Sequence, residues 1–171
     1  MTKPLGVVAS GHEETSKAAR ILLQQGGNAF DAALGAMFAA LVYEPMLASL
    51  GGGGFLLAQT AAGETQVFDF FTQTPSATQG ELDFYPIQAD FGTATQEFHI
   101  GMGSIAVPGV VAGLFAIHKA HCRLSLKEII EPAVRLAREG VRINKLQKFI
   151  SEILQPIIDA TPEAKAFAAP V

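Results

Sequence analysis

The feature most suggestive of chemistry is a run of four glycines, Gly51 to Gly54. Glycine lets backbone N–H groups converge on an anion, so a run of this kind can bind phosphate. No Gly-Lys-Ser/Thr sequence follows it, its spacing does not match a dinucleotide-binding motif, and a predicted strand rather than a helix comes next. The run therefore predicts a close approach between backbone segments, or positive φ angles before a strand.

The histidines and the cysteine are the candidate metal ligands. His118 and His121 lie on a predicted helix at a spacing that places both on one side, and Cys122 follows directly. No third ligand has a matching spacing, so we interpret the pair as part of a solvated helix face and expect no metal and no cofactor. His12 lies near a predicted helix start and is interpreted as local packing. Cys122 is the single cysteine, which excludes an internal disulfide and predicts a buried, inert thiol.

A catalytic nucleophile is not recognisable in the sequence. No Ser-His-Asp or Cys-His arrangement stands out, and no serine lies in a nucleophile-elbow context. Thr2 would become N-terminal if Met1 were removed, and an N-terminal threonine can attack a carbonyl with its own amine as general base. Lys3-Pro4 follows Thr2, and an ordinary chain start is the simpler interpretation. The sequence thus places no catalytic residue in this chain.

Composition and length favour a compact protein. The 171 residues suit one domain of ordinary size, and we expect a single domain over 1–171. A hydrophobic share of 49% with 16% charged residues excludes a disordered chain. The net charge of −4, with no run of Lys or Arg, argues against a nucleic-acid or anionic-membrane surface.

The longest apolar run, residues 32–43, is shorter than the roughly 20 residues that span a bilayer. No signal-peptide-like stretch precedes it, so we expect a cytoplasmic location.

Helical patterns account for much of the chain. Ser10, followed by Glu13 at capping-box spacing, predicts a helix as far as Gln25, which Gly26-Gly27 end. Asn28 can cap a second helix, rich in alanine, that reaches about Val42 before Glu44-Pro45. Further helices are predicted after Pro108 to about residue 121, over 126–139 with Pro132 inside and Gly140 at the end, and over about 145–158 with an interruption at Pro156.

Extended segments are fewer. Leu5 to Ala9 predicts a buried strand, and the runs Phe55–Gln59 and Thr65–Phe71 predict a β-hairpin. Residues 72–103 are expected to form an irregular segment, and a segment of that length is usually functional or packs on another part of the protein. From residue 161 onward no periodic pattern is visible. We therefore expect the chain to be an incomplete segment of a larger protein.

Several of these segments together resemble the γ-glutamyltransferase family. The resemblance rests on ordered matches whose members are as follows: Gly6-Val7-Val8-Ala9-Ser10, Gln25-Gly26-Gly27-Asn28-Ala29-Phe30-Asp31-Ala32-Ala33, Glu44-Pro45, Leu50-Gly51-Gly52-Gly53-Gly54-Phe55, Ala106-Val107-Pro108-Gly109, and Pro132-Ala133-Val134-Arg135-Leu136-Ala137-Arg138-Glu139-Gly140. Each match alone is weak, whereas their common order over most of the chain is specific. The chain is therefore similar to the N-terminal part of the family's large subunit.

The resemblance implies a fold and an activity. The fold is an α+β, N-terminal-nucleophile hydrolase-like αββα sandwich, of which this chain would supply the N-terminal helices and part of the sheet. A precursor of this family cleaves itself and exposes a threonine at the start of the small subunit. That threonine attacks a γ-glutamyl amide, and water or an acceptor amine resolves the acyl-enzyme. The resemblance puts the nucleophile and the oxyanion hole beyond residue 171, so Gly51 to Gly54 are not the oxyanion hole.

One substrate-binding residue of the family has its counterpart in this chain. Family members have Asp, a variable residue and then Arg, before Glu and a nearby Pro, and that arginine binds the α-carboxylate of the substrate. The corresponding stretch runs from Asp69 to Pro75 and has Phe71 at the arginine position. The resemblance implies that a charged clamp worth roughly 2–3 kcal/mol is missing. This disfavours glutathione and favours another acyl group, closer to those of cephalosporin and glutaryl acylases. The alternative is that Phe71 is an ordinary core residue.

Two functional hypotheses follow. In the first, the complete protein is an autoprocessed amide hydrolase or acyltransferase acting on γ-glutamyl or related acyl amides. Its partners are then the rest of the large subunit, the small subunit and a small-molecule substrate, without nucleic acid or membrane, and this chain alone is inactive. In the second, the scaffold belongs to a non-catalytic binding protein.

Overall fold

The computed structural model describes residues 6–77 and 80–168. They divide into two compact units, each made from two separate stretches of chain. The first unit takes its described residues from Met1–Gln73 and Pro108–Arg142, and the second from Thr74–Val107 and Ile143–Val171. The predicted motifs and the position of Phe71 fall mainly in the first unit.

Four helices and one hairpin form the first unit. Its helices are α1 (Glu13–Gln24), α2 (Ala29–Tyr43), α3 (Val110–His121) and α4 (Leu126–Glu139), and its strands are β1 (Phe55–Gln59) and β2 (Thr65–Asp69). The predicted helices and the predicted hairpin are thereby confirmed, with ends that differ by a few residues. Pro132 lies inside α4, and the helix continues through it to Gly140.

The core of the first unit lies where α2 packs against α1, α3 and α4. Six buried side chains form it: Leu22, Leu34, Val110, Leu114, Ile117 and Ile129. Leu56 and Phe68, from the inner face of the hairpin, pack against this cluster. The hairpin is antiparallel, with Phe55 opposite Asp69 and Gln59 opposite Thr65. Because side chains alternate across a strand, the face that carries Phe55, Leu57 and Val67 points away from the core and is exposed.

Helix ends in this unit follow local side-chain chemistry. Asn28 caps α2 by accepting hydrogen bonds from the N–H groups of Phe30 and Asp31, as predicted. At α1 the predicted cap was wrong, because His12 rather than Ser10 caps the helix and its Nδ1 accepts from the N–H of Glu14 at 3.2 Å. Ser10 lies two residues too early, and its hydroxyl is bonded to His12 and Ser16 instead.

The strand predicted at Leu5 to Ala9 is not present in the described residues. Residues 6–10 have no regular secondary structure, and Leu5 lies outside the described residues. Val7 is 98% exposed. An extended segment becomes a strand only when a neighbouring strand satisfies its N–H and C=O groups, and the described part of this unit offers none beside it.

The second unit corrects two sequence predictions. Residues 72–103 were expected to be irregular, but β3 (Tyr85–Asp90) and β4 (Thr95–Ile100) form an antiparallel hairpin there, followed by a 3-10 helix at Met102–Ser104. Pro86 concealed the alternation of Tyr85, Ile87 and Ala89, yet proline is tolerated because a two-stranded hairpin leaves one edge of each strand unpaired. Gly92 adopts a φ of 82° in the turn.

Three helices complete the second unit: α5 (Lys145–Ile153), α6 (Gln155–Ile158) and α7 (Pro162–Ala168). The predicted interruption near Pro156 is confirmed. The expectation of an unpatterned end was wrong, because α7 begins there. Its signal is local: the Thr161 hydroxyl accepts from the N–H of Ala164 at 3.1 Å, and Pro162 suits the first helical position. No described helix of either unit has the length and apolar character needed to cross a membrane.

Candidate functional site

The glycine run joins the end of α2 to β1 and brings backbones close together. Gly54 and Phe70 exchange both backbone hydrogen bonds, at 3.3 and 3.1 Å, and so extend the hairpin. A Cβ on Gly53 would come within 2.8 Å of the Phe71 backbone, closer than real side-chain contacts allow. None of the four residues has a positive φ. The predicted close approach is therefore confirmed, whereas the predicted positive φ angles were wrong.

The same run also provides a hydrogen-bond acceptor for the N–H groups at the start of α3. The carbonyl of Gly52 accepts from the N–H groups of Gly109 and Val110 at 3.0 and 3.1 Å. Gly109, the N-cap residue, has no side chain to do this. The first N–H groups of a helix need such partners. These donors are therefore engaged by the protein itself, in line with the structural interpretation of the glycine run.

Phe71 lies on the exposed side of the hairpin end. Alternation beyond β2 turns Phe68 and Phe70 towards the core, whereas Phe71 is 52% exposed. Its ring stacks on that of Phe55, with centroids 5.4 Å apart and planes 13° apart. Its N–H donates to Oδ1 of Asp69 at 3.0 Å. Within this chain Phe70, and not Phe71, packs against the core.

An open cleft of about 440 Å³ lies beside Phe71 in the first unit. Its walls come from Met37 in α2, the segment from Pro45 to Ser49, the glycine run, Phe71-Thr72 and the start of α3. The side chains lining it are apolar or carry a hydroxyl group, and none of the lining residues is Asp, Glu, Lys, Arg or His. The cleft can therefore accept a small ligand through apolar contact and hydrogen bonds to hydroxyl or backbone groups, but offers it no charged partner.

The predicted histidine pair does not form a site. Nε2 of His118 is bonded to the carbonyl of Leu124 at 3.0 Å, while Nε2 of His121 is bonded to Oε1 of Gln66 at 3.0 Å. His121 also stacks on Phe30, with ring centroids 4.4 Å apart. Both residues are half-buried, so the interpretation as a solvated face was wrong. Within residues 6–77 and 80–168, no group of three or more His, Cys, Asp and Glu side chains is placed to hold a metal ion.

His12 and Cys122 have the structural roles expected of them. His12 caps α1 and its ring lies 3.9 Å from that of Tyr43, which confirms local packing. Cys122 is half-buried. Burial, and secondarily the charge of Asp31 and a hydrogen bond to it, raise the pKa of this thiol from 9.0 to about 12. A thiol of that kind remains protonated and unreactive at neutral pH.

Asp31 is a buried residue that the sequence motif did not distinguish from its neighbours. This carboxylate is 0% exposed. Oδ2 accepts from the N–H of Asn28 at 2.6 Å, and Oδ1 accepts from the N–H groups of Arg123 and Leu124, each at 3.0 Å. Asn28 adds a second link, since its Nδ2 donates to the carbonyl of His121 at 2.8 Å. The helix-turn-helix motif therefore ties the start of α2 to the connection between α3 and α4. Its capping-box spacing was the available signal.

Comparison with known proteins first identifies the fold. The solved structure of Helicobacter pylori gamma-glutamyltranspeptidase matches this chain with a TM-score of 0.80 and 28% sequence identity, over 98% of this chain and 47% of that one. This confirms the predicted α+β class of the N-terminal-nucleophile hydrolases. A family model described as gamma-glutamyltranspeptidase also matches residues 15–170. The chain belongs to the gamma-glutamyltranspeptidase family.

Two curated relatives illustrate the range of the family. Glutathione hydrolase 2 of Arabidopsis thaliana is 36% identical over 141 residues, which cover 82% of this chain and 23% of the relative. Acylase ACY 1 proenzyme of Pseudomonas sp. (strain V22) is 33% identical over 140 residues, covering 79% of this chain and 25% of the relative. The chain thus spans about a quarter of the curated relatives it matches.

Proposed function

We propose that the complete protein is an autoprocessed amide hydrolase or acyltransferase. The observation that carries this proposal is the match of the family model over residues 15–170. A relative named as a proenzyme is consistent with self-cleavage. The nucleophile in this proposal is a threonine beyond residue 171 that self-cleavage makes N-terminal. Its α-amine then serves as general base.

The proposed reaction has two steps. The threonine Oγ forms a bond to the amide carbonyl carbon, the C–N bond breaks, and the amine leaves with a proton. Water or an acceptor amine then attacks the resulting ester and releases the acid or a new amide, while the threonine recovers its proton. The present chain supplies scaffold and part of the substrate site, and we expect it to be inactive alone.

Phe71 is proposed to stand where family members bind the α-carboxylate of the substrate. Its half-exposed position at the edge of a cleft supports a contact with substrate. A phenyl ring cannot replace a charge-assisted pair of hydrogen bonds, a loss of roughly 2–3 kcal/mol in binding. We therefore propose that the acyl group is not the glutamyl group of glutathione but one without an α-amino acid end.

The proposed partners are the rest of the large subunit and the small subunit. The outer face of the β1–β2 hairpin supports this, since Phe55, Leu57 and Val67 are 63%, 73% and 65% exposed. Apolar side chains grouped on one sheet face usually meet another surface. In this proposal residues 1–171 form one incomplete part of the large subunit.

The complete gene product tests the proposal. Mass spectrometry should find two fragments, the smaller beginning with threonine, and the protein should hydrolyse glutaryl-p-nitroanilide faster than γ-glutamyl-p-nitroanilide. Efficient γ-glutamyl transfer would contradict the role given to Phe71 while leaving the enzyme class intact. An intact chain without turnover of either compound would favour a non-catalytic binding protein instead.

A further inference from the structure

We propose that the cleft beside Phe71 binds an uncharged, apolar acyl group, so that the preferred substrates are amides of short fatty acids rather than of dicarboxylic or amino acids. This inference rests on the proposed function for its assignment of the cleft to the acyl side of the substrate. It goes further in naming the acyl group, and its grounds are the lining of the cleft and the charges around it.

The lining provides apolar contact and no ion pair. Met37 and Met46 contribute flexible apolar side chains, Val110 contributes a buried one, and Phe71 stands at the same cleft. Methionine adapts its shape to an unbranched alkyl group at little cost. The polar groups lining the cleft belong to hydroxyl side chains such as Ser49 and to the backbone. They can orient an amide by hydrogen bonding but cannot neutralise a carboxylate.

The sequence around the cleft residues provides no Lys or Arg that could pair with a substrate carboxylate. Between Arg20 and Lys119 there is no Lys or Arg, while several Asp and Glu occur. Glu44 accepts a hydrogen bond from the Thr15 hydroxyl at 3.4 Å, on the side of α1. A substrate carboxylate placed in the cleft would lose water without gaining a counter-ion from these residues, which is strongly unfavourable. An alkyl chain has no favourable hydration to lose, so its transfer from water into the cleft is favourable.

The dimensions fit a small acyl group. A volume of about 440 Å³ lies near the lower end of the roughly 300–1,000 Å³ that small-molecule sites occupy. The ring of Phe71, which stacks on Phe55, lines the cleft with an aromatic surface. Phe71 is 52% exposed, so an alkyl chain bound against it would remove apolar surface of the protein from water as well as its own.

Hydrolysis by the complete protein tests the choice of acyl group. We expect kcat/KM for hexanoyl-p-nitroanilide to exceed that for glutaryl-p-nitroanilide by on the order of 10- to 100-fold, as expected from one unpaired charge. Phe71→Arg should reverse this preference, whereas Phe71→Leu should keep it. Ser49→Asp, which adds a carboxylate to the cleft, should reduce hexanoyl turnover on the order of 10-fold. Ser76→Asp, the same change at an exposed serine that does not line the cleft, should not.

Binding without turnover gives an independent readout. In the complete protein labelled at its methionine methyl groups, hexanamide should shift the signals of Met37 and Met46, assigned through Met→Leu variants. Met102, which is 72% exposed in the second unit, serves as the internal reference and should not shift. Glutarate at the same concentration should leave all three signals unchanged.

The two proposals fail in different ways. If no anilide is hydrolysed but hexanamide shifts Met37 and Met46, the hydrolase proposal is wrong and the apolar site stands. If the anilides are hydrolysed with glutaryl preferred, or if glutarate shifts both methionines, the apolar site is overturned and the hydrolase stands. An unchanged acyl preference in Phe71→Arg would also overturn the apolar site.

Discussion

Replacing Asp31 with alanine tests whether one buried carboxylate holds α2 to the connection between α3 and α4. The side chain is fully buried and accepts three backbone hydrogen bonds, one at 2.6 Å from Asn28 and two at 3.0 Å from Arg123 and Leu124. Alanine leaves all three donors without an acceptor.

The expected loss is large for a single substitution. A hydrogen bond to a charged group contributes about 1.5–3 kcal/mol, and the loss of a helix cap costs about 0.5–2 kcal/mol. These terms are not additive, and the variant also avoids the cost of burying a charge. We therefore expect the free energy of unfolding to fall by about 3–5 kcal/mol, because a buried donor left without an acceptor costs about 1–3 kcal/mol and three donors are affected. The corresponding fall in Tm is on the order of 10 °C for a chain of this size.

Urea unfolding followed by far-UV circular dichroism measures the loss, and hydrogen exchange at residues 123–124 shows where it arises. Asn144→Ala is the matched control, because Asn144 forms the same kind of capping box at α5 but is exposed, and its box partner is the uncharged Gln147. It should cost about 1 kcal/mol. A loss in Asp31→Ala no larger than in the control, or unchanged exchange at 123–124, would refute the argument.

Three further outcomes are expected. At pH 8, iodoacetamide should alkylate Cys122 in the folded chain roughly a thousandfold more slowly than in urea, because a pKa of about 12 in place of 9.0 depletes the thiolate; equal rates would contradict this. Hydrogen bonds from Ser125 hold the pKa of Glu128 below its ordinary 4.5, so this contribution to stability is present above pH 4.5 and lost as the pH falls through the lowered value. In Ser125→Ala, NMR titration should return that pKa towards 4.5. Gly53→Ala should destabilise by about 1–3 kcal/mol through overpacking, whereas Gly51→Ala, whose Cβ would meet only a side-chain oxygen at 3.8 Å, should not; equal Tm values would show that the backbone approach at Gly53 is unimportant.

The sequence predicted those elements whose signals are local. Asn28 and Gly140 mark helix ends by their own chemistry, and α2 and α4 accordingly begin or end beside them. The β3–β4 hairpin was missed because its alternation is interrupted by Pro86 and is recognisable only when its two halves are paired. Within its described part, residues 6–9, the strand predicted at residues 5–9 is absent for the opposite reason: a suitable sequence does not form a strand without a partner.

The candidate site was less predictable than the fold. Phe70 and Phe71 have the same side chain, so composition cannot tell which one packs inward. The register decides it, because Phe55 pairs with Asp69 and alternation then places Phe71 on the outer face. The cleft could not be predicted either, since its walls come from segments that are distant in sequence and meet only in the folded unit.

The motifs that make the family recognisable in this chain mainly connect segments of the first unit that are distant in sequence. Asn28 reaches His121 across 93 residues of sequence, and the carbonyl of Gly52 meets the start of α3 at Val110. The contact from Asn28 depends on its side-chain amide, and the close approach of the glycine run to the Phe71 backbone leaves no room for a Cβ on Gly53. Folding alone is therefore enough to favour asparagine and glycine at these two positions, whereas the contact of the Gly52 carbonyl does not depend on a side chain. Phe71 is under no such demand, because it lies on an exposed face and its backbone contacts do not depend on its side chain. The fold can therefore accept either an arginine or a phenyl ring there, so the proposed change of acyl group would need no change in the scaffold.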